Sequence, residues 1–277
     1  MKRILLTIAI LALSAGFMSA QDLEKITETY NSAAAALGNK DYATALTGFQ
    51  QALKDAEALG ESGAEIVTNC KDIIPDLVLS LANNAIREKD YPKALEGLAE
   101  AVKIATEYKN DDVVSKAQNL IPQIKMQQGN ALLTAKNYAG AAEIYKALLA
   151  DDPTNGTAAV RLGQALNAAG DVEGAIEAFT TAAANGQEAT ANKQLSTIVL
   201  KQASNFLKEK KFDEAITAAL KSAEYSPSAN AYKIAGTAAN SLQKKEQAVE
   251  YLSKYLELAP TAADAAQIKA AIEALKK

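Results

Sequence analysis

The sequence predicts an all-α protein built from repeated helical hairpins, and two observations carry that prediction. The chain has 277 residues with only 6 prolines and 14 glycines, and Ala, Leu, Lys, Glu and Gln fill most of the remainder. These side chains lose little rotamer freedom on a helix. A short apolar pattern also returns six times along the chain, whereas no run of alternating Val, Ile and Thr indicates a strand.

Each copy of the pattern opens with a bulky or ring residue, continues with a small alanine three positions later, and adds another apolar residue after four more. In the first copy these are Tyr42, Ala45 and Phe49. This spacing puts all three side chains on one face of a helix. The alanine lets a partner helix cross closely, because a larger side chain would overpack the crossing at a cost of about 1–3 kcal/mol. The six alanines are Ala45, Ala94, Ala141, Ala175, Ala215 and Ala248.

We therefore predict that each copy is the second helix of a helical hairpin. The predicted second helices lie near residues 42–56, 91–106, 138–151, 172–184, 212–225 and 245–258. Small residues of the upstream first helices are expected to face them, and these are Ala33, Ala82, Gly129, Gly163, Ala203 and Gly236. Second helices are expected to end at Pro153, Pro227 and Pro260, since proline disfavours helix in the residue before it.

The first two copies are longer than the others. Their excess lies in residues 54–72 and 103–119, which we interpret as lengthened helices and connections. These stretches resemble each other, and Pro75 and Pro122 are each expected to precede a first helix at the same distance.

The two ends of the chain differ from the repeats. A basic start, an apolar run over residues 4–13 and small residues up to Ala20 have the layout of a secretory signal peptide, and the run is too short to span a bilayer. We predict a signal peptide over 1–20 and the repeats over 21–277. At the other end, Thr261 with Asp264 predicts the start of a capping helix over 262–276. Its apolar stripe consists of Ile268, Ile272 and Leu275.

The motif Leu162-Gly163, Gly170-Asp171, Ala175, Phe179 and Pro227 resembles the tetratricopeptide repeat family, whose units recur about every 34 residues. The resemblance covers nearly all of the chain after residue 21, although the tryptophan usual in the family is absent. It implies an exported bacterial member of the family. The implied fold is a right-handed superhelical solenoid whose concave groove, lined by first helices, binds peptides.

Catalysis is not expected from this composition. The sequence has no histidine and one cysteine, which removes the commonest general base and excludes zinc–thiolate sites. The acidic pairs Asp111-Asp112 and Asp151-Asp152 are explained as charges at helix ends. We therefore predict no enzyme activity, no catalytic residue, no metal and no cofactor. Cys70 is interpreted as a small apolar residue, with a disulfide between two chains as the alternative.

The net charge of the chain restricts the classes of partner that it is expected to bind. Loss of the predicted signal peptide removes two basic residues and takes the formal net charge from −4 to −6. An acidic chain without a basic stripe argues against nucleic acid. We also predict no membrane insertion after signal removal, and leave association with a membrane complex open.

Carrying the groove positions over copy by copy gives a polar, mostly uncharged surface. The predicted partner-binding residues are Asn83, Arg87, Met126, Asn130, Arg161, Gln164, Asn167, Thr237 and Asn240. Side-chain amides both donate and accept hydrogen bonds, so such a row can pair with a peptide backbone of almost any sequence. The specific hypothesis is that Asn83, Asn130 and Gln164 hold an extended segment while Arg87 or Arg161 meets an acid. The alternative is that all are solvated polar positions.

The sequence thus predicts a non-catalytic scaffold that binds other proteins or peptides in the bacterial cell envelope. Its compartment is expected to be the periplasm, with secretion as the alternative. Two other functions remain open: binding of a small molecule or glycan, and self-association. Few aromatic residues argue against glycans, because sugar binding generally needs stacking rings.

Overall fold

The computed structural model describes residues 17–277, and in that part of the chain every regular element is a helix. The predicted signal peptide lies mostly outside the described residues. Helix α1 begins at Phe17 and continues through the predicted cleavage point after Ala20. The described residues confirm the predicted all-α helical-repeat fold.

The chain forms two compact units, which meet in the sequence between Gln128 and Gly129. The first unit contains α1 (Phe17–Gly38), α2 (Tyr42–Ala58), α3 (Ala64–Arg87), α4 (Tyr91–Glu107) and most of α5 (Asp111–Thr134). The second unit contains the end of α5 and then α6 (Tyr138–Asp151), α7 (Gly156–Ala169), α8 (Val172–Ala182), α9 (Glu188–Lys208), α10 (Phe212–Tyr225), α11 (Ala229–Ser241), α12 (Lys245–Leu258) and α13 (Ala265–Leu275). Within both units the helices pair as hairpins, each odd-numbered helix from α1 to α11 with the helix that follows it.

The turns inside the first four hairpins share one local design, whereas Lys211 and Lys244, directly before α10 and α12, provide no side-chain cap. An Asp or Asn directly before the second helix accepts a hydrogen bond from a backbone N–H three residues later, which caps the helix. These caps are Asp41, Asp90, Asn137 and Asp171, with N···O distances of 3.2, 3.2, 3.1 and 2.9 Å. The residue before each cap has a positive φ, and it is a lysine at 40, 89 and 136 but a glycine at 170.

Close helix crossings explain the small residues of the first helices. A Cβ added to Gly163 would lie 2.8 Å from the Phe179 ring, and one added to Gly129 would lie 2.7 Å from the Tyr145 ring. In the first unit the glycine lies instead on the second helix, where a Cβ added to Gly48 would lie 2.7 Å from Ala33 Cβ. The first helix can therefore be tightly packed with either alanine or glycine.

The expectation for Pro75 and Pro122 is wrong. Both prolines lie inside continuous helices of 24 residues, α3 and α5, rather than before them. Each helix therefore joins the lengthened segment and the first helix of the repeat in one element. Packing along the whole of α3 outweighs the hydrogen bond that proline cannot donate, since Pro75 itself and its neighbours Ile74 and Leu77 are buried.

Lys71 on α3 contacts residues at the C-terminal ends of α2 and α4 in the first unit. Its Nζ lies 2.9 Å from a Glu57 carboxylate oxygen and 5.6 Å from the centroid of the Tyr108 ring. In the same unit, Tyr30 and Phe49 form an edge-to-face ring contact with centroids 5.1 Å apart. These contacts join α1, α2, α3 and α4 around one apolar core.

The C-terminal helix begins later than the sequence predicts. Asp264, not Thr261, is the residue before α13. Its carboxylate accepts a hydrogen bond from the Tyr255 hydroxyl and forms an ion pair with Lys233 on α11. Buried Ala265 and Ile272 pack α13 onto the last hairpin.

Candidate binding face of the first helices

The structure places most of the predicted partner-binding residues at the surface. Exposed side chains are Asn83 and Arg87 on α3, Arg161 and Asn167 on α7, and Thr237 and Asn240 on α11. Half-buried side chains are Met126 and Asn130 on α5 and Gln164 on α7. Leu79, a neighbouring groove position in the sequence, is buried in the core instead.

Two hydrogen-bonded pairs of side chains in the second unit, Asn130 with Tyr145 and Arg161 with Gln164, form a polar group that we call the donor cluster. The Tyr145 hydroxyl donates to Asn130 Oδ1 over 2.9 Å. Arg161 Nη1 donates to Gln164 Oε1 over 3.1 Å. Three of the nine predicted residues are thus brought together on α5 and α7.

Electrostatics connects the two halves of the donor cluster. The Tyr145 side chain is fully buried, and this burial raises the pKa of its hydroxyl. The positive charge of Arg161 acts on the same hydroxyl and lowers its pKa in part. The phenol therefore stays protonated at neutral pH and keeps its proton available for Asn130.

The cluster exists because of the helix crossing beneath it. Gly129 has no side chain, so the Tyr145 ring can lie against α5, and its hydroxyl reaches the next residue, Asn130. In the repeated sequence pattern Tyr145 is only the second apolar position of copy three. The equivalent second-helix positions hold Phe49, Leu98, Phe179, Ala219 and Leu252. Tyr145 carries the only hydroxyl among these six equivalent positions, and this feature of the sequence could have identified it as part of a polar site.

The predicted residues of the first unit show no comparable cluster. Arg87 donates to Asn84 Oδ1, a neighbour on its own helix, and Asn83 lies beside it without joining that pair. The first unit does contain a groove between α2, α3 and α4, with a volume of about 610 Å³. Leu46, Leu81 and Ile104 contribute apolar walls, while Lys93 and Glu100 stand among its polar lining residues.

Cys70 lies in the core of the first unit, and its burial raises the pKa of the thiol to about 12. The thiolate, which is the form that exchanges into disulfides, is therefore scarce at neutral pH. This placement agrees with the interpretation of Cys70 as an apolar residue and argues against a disulfide between two chains.

No helix within residues 17–277 is long and apolar enough to cross a membrane. In the same range, no group of three or more acidic or cysteine side chains is arranged to hold a metal ion.

The hairpins, their close crossings and their capped turns define a helical-repeat protein. The sequence profile of the tetratricopeptide repeat family matches residues 126–190 and 200–263, which identifies tetratricopeptide repeats in this part of the chain. No curated protein sequence matches the chain.

Several solved structures are similar to this chain. One described as "MamA protein" is 21% identical over 69% of this chain and 94% of its own, with a TM-score of 0.38. YrrB, described as a tetratricopeptide repeat protein with an unusual peptide-binding site, is 19% identical over 70% of this chain and 90% of its own, with a TM-score of 0.38. PilW, described as a type IV pilus biogenesis factor, is 17% identical over 92% of this chain and 99% of its own, with a TM-score of 0.36.

Proposed function

We propose that this protein is a non-catalytic scaffold of the bacterial cell envelope that holds an extended segment of a partner protein against its first helices. The donor cluster is the centre of the proposed site. In the second unit the remaining proposed contacts are Asn167, Thr237 and Asn240, and in the first unit, taken by itself, the proposed contacts are Asn83, Arg87 and Met126.

The observation that carries the proposal is the arrangement of Asn130, Arg161 and Gln164 on two successive first helices. Each of them has at least one N–H group that donates to no other group of the described chain. Polar groups ordered on a rigid helical support lose little entropy when a ligand binds. An extended backbone presents carbonyl groups that these donors can bind.

Placement in the envelope rests on the sequence of residues 1–20, which has the layout of a signal peptide. The absence of histidine supports a binding role over a catalytic one. Small-molecule or glycan binding is not favoured by any particular contact of the donor cluster.

An affinity capture from the detergent-solubilised envelope of the native host tests the proposal. The bait is the tagged mature chain, and the comparison bait carries Asn130→Asp and Gln164→Glu. Both changes replace a donor amide with a carboxylate of nearly the same shape, so binding through these donors is expected to fall at least about tenfold. Mass spectrometry of the captured proteins measures the loss.

A matched control carries Gln247→Glu and Gln267→Glu, two exposed amides on α12 and α13. It has the same added negative charge, and we expect it to capture the same proteins as the unchanged bait. Partners retained equally by both variants would place the binding surface elsewhere. Failure to enrich any protein would contradict the scaffold function itself.

A further inference from the structure

The groove of the first unit is bordered by second helices rather than by the first helices alone. It runs between α2 and α4, and α3, which packs against both of them, forms its floor. The residues of α4 that line it extend from Lys93 to Ile104, which is about three helical turns or about 16 Å. The groove is therefore long enough to hold a short segment of another chain.

The floor of the groove is apolar, and small residues explain why it is recessed. Leu46, Leu81 and Ile104 are half-buried, so part of each side chain faces water. Ala82 and Gly97 meet where α3 crosses α4, since a Cβ added to Gly97 would lie 3.0 Å from Ala82 Cβ. Covering this apolar surface removes it from water, which favours binding of an apolar partner.

The walls of the groove are helices, and this decides the form of the occupant. The backbone N–H and C=O groups of α2, α3 and α4 are bonded within their own helices, so the walls offer no backbone partners. An extended segment would leave backbone polar groups unpaired against the apolar floor. A helix satisfies its own backbone and can insert an apolar stripe at positions i, i+3, i+4 and i+7.

Charged residues of α4 border the groove in a symmetric order. Two lysines lie outside two glutamates on one face of the helix, at Lys93, Glu96, Glu100 and Lys103, and all four side chains are exposed. Glu100 and Lys103 form an ion pair of 3.8 Å, which is weak at the surface and can exchange partners. An occupant with bases at its centre and acids toward both ends complements this order in either direction.

A second copy of this chain lacks the apolar stripe that the groove requires. Within residues 17–277, Leu258 is the only large apolar side chain that is exposed, at 50%. One leucine does not cover a groove of three helical turns. The occupant is therefore expected on another protein.

We propose that this groove docks an amphipathic helix of a partner protein. The helix has an apolar stripe bordered by central lysine or arginine residues and by acidic residues toward both ends. This site goes beyond the proposed function, because it takes a helix rather than an extended segment and uses no residue of the donor cluster.

Fluorescence anisotropy with labelled helical peptides and the mature chain tests the proposal. The matched probe has a leucine stripe bordered by Glu, Lys, Lys and Glu at the spacing of the charges on α4, and the reversed probe exchanges Glu with Lys. Both probes have the same composition and no net charge, so only the order of the charges differs. The proline probe is the matched probe with a central proline, which breaks the helix.

The test variant exchanges the charges that border the groove and keeps the net charge of the chain. Its substitutions lie at exposed positions and are Lys93→Glu, Glu96→Lys, Glu100→Lys and Lys103→Glu. The control variant exchanges two exposed charges of α1, Glu24→Lys and Lys25→Glu. A further variant, Ala99→Gln, puts a bulky side chain at an exposed lining position of the groove.

We expect the unchanged protein and the control variant to bind the matched probe at least about fivefold more tightly than the reversed probe. The test variant is expected to invert this preference, because each of its charges then meets the opposite charge on the reversed probe. Ala99→Gln is expected to weaken binding of the matched probe at least about fivefold, and the proline probe to bind at least about tenfold more weakly than the matched probe.

The variant Asn130→Asp with Gln164→Glu separates this site from the donor cluster. It is expected to bind the matched probe as the unchanged protein does, because the groove contains neither residue. Loss of the proposed extended-segment binding and loss of helix docking are therefore distinguishable.

Several results would overturn the docking site. Equal affinity of the unchanged protein for the matched and reversed probes would show that the charge order is not recognised. A preference that persists in the folded test variant would locate the binding surface outside the groove. Equal binding of the proline probe would assign the groove to an extended segment. Self-association in sedimentation that Ala99→Gln abolishes would make a second copy the occupant, and absence of binding by every probe would remove the site altogether.

Discussion

In the first unit the glycine at the helix crossing lies on the second helix, whereas in three of the hairpins of the second unit it lies on the first helix. Ala33 faces Gly48 in copy one, and Gly163 faces Phe179 in copy four. Both arrangements bring two helices into the same close contact, and both keep a bulky ring beside the crossing, Phe49 or Phe179. The comparison teaches that a glycine on either helix allows the close approach, and copy five, with Ala203 and no glycine in α9 or α10, shows that the repeat does not always need one.

The consequence of the difference is functional. Where the first helix carries the glycine, the ring of the second helix can reach across it toward the face of the first helices. In copy three this ring is a tyrosine, and its hydroxyl reaches Asn130. In copy one the alanine of the first helix occupies that space, and the Phe49 ring contacts Tyr30 in the core instead.

Exchanging the glycine between helices tests the comparison most severely. Gly163→Ala is expected to destabilise the protein by about 1–3 kcal/mol, because the new methyl group overlaps the Phe179 ring. Ala178→Gly alone is expected to cost about 0.5–1 kcal/mol, as glycine does within helices. The double variant reproduces the residues of copy one, and we expect a favourable coupling of at least about 0.5 kcal/mol. Urea unfolding followed by circular dichroism measures all three.

Gly48→Ala with Ala33→Gly is the reverse exchange in the first unit. Strictly additive costs in both exchanges would show that the two arrangements are not interchangeable, and the comparison would fail.

The sequence predicted much of this fold, for physical reasons. The 3.6-residue period of the apolar pattern indicated helices, and the Asp and Asn residues before Tyr42, Tyr91 and Tyr138 cap their second helices. The continuity of α3 through Pro75 was not predictable from local preference, since burial along that helix decides it. Pro122, through which α5 continues, is exposed. The orientation of the Asn130 amide was not predictable either, because it depends on a hydroxyl from another helix.

Two buried tyrosine hydroxyls, those of Tyr30 in the first unit and Tyr145 in the second, test the comparison of the units through a smaller expected change in the free energy of unfolding. The buried Tyr30 hydroxyl of the first unit has no hydrogen-bond partner among the described residues, and burial raises its pKa. We expect Tyr30→Phe to leave the free energy of unfolding unchanged or to raise it. Tyr145→Phe is expected to lower it by about 0.5–1.5 kcal/mol, because a made hydrogen bond is lost. Equal effects of the two changes in thermal unfolding would contradict the assignment of a hydrogen-bond partner to the Tyr145 hydroxyl and of none to the Tyr30 hydroxyl.

The hairpin turns give predictions of opposite sign at Lys89 of the first unit and at Gly170 of the second unit. Lys89 has a φ of +61°, a conformation that costs a side-chain-bearing residue about 1–2 kcal/mol. Lys89→Gly removes this strain but also a charge at the C-terminus of α3, so a net gain of about 0.5–1 kcal/mol is expected. Gly170→Ala, at a φ of +91°, is expected to destabilise by a similar amount.

Lys89→Ala is the control for the turn, since it removes the charge and keeps the strain. Its expected effect on the melting temperature is neutral or negative. A gain as large as that of Lys89→Gly would assign the effect to charge rather than to backbone conformation.

The smallest predicted effects concern two carboxylates with opposite pKa shifts. In the first unit, partial desolvation raises the pKa of Asp76, with the Asp112 charge acting in the same direction and Lys116 against it. In the second unit, the bonds from Lys233 and Tyr255 lower the pKa of Asp264. A raised carboxyl pKa makes a contribution to stability that grows as pH falls, whereas a lowered one makes a contribution that is lost as pH falls through the folded-state pKa.

Melting temperatures of Asp76→Asn and Asp264→Asn between pH 7 and about pH 3 test these signs, since the unfolded pKa of Asp is about 3.9. At neutral pH we expect Asp264→Asn to melt below the unchanged protein and Asp76→Asn to melt at or above it. Both differences should shrink toward acid pH as the native carboxyls protonate. Hydrogen exchange should localise the effect of Asp264→Asn to α13, because Asp264 ties the start of this helix to α11 and α12. An acid-insensitive difference for Asp264→Asn would show that shape rather than charge holds α13 in place.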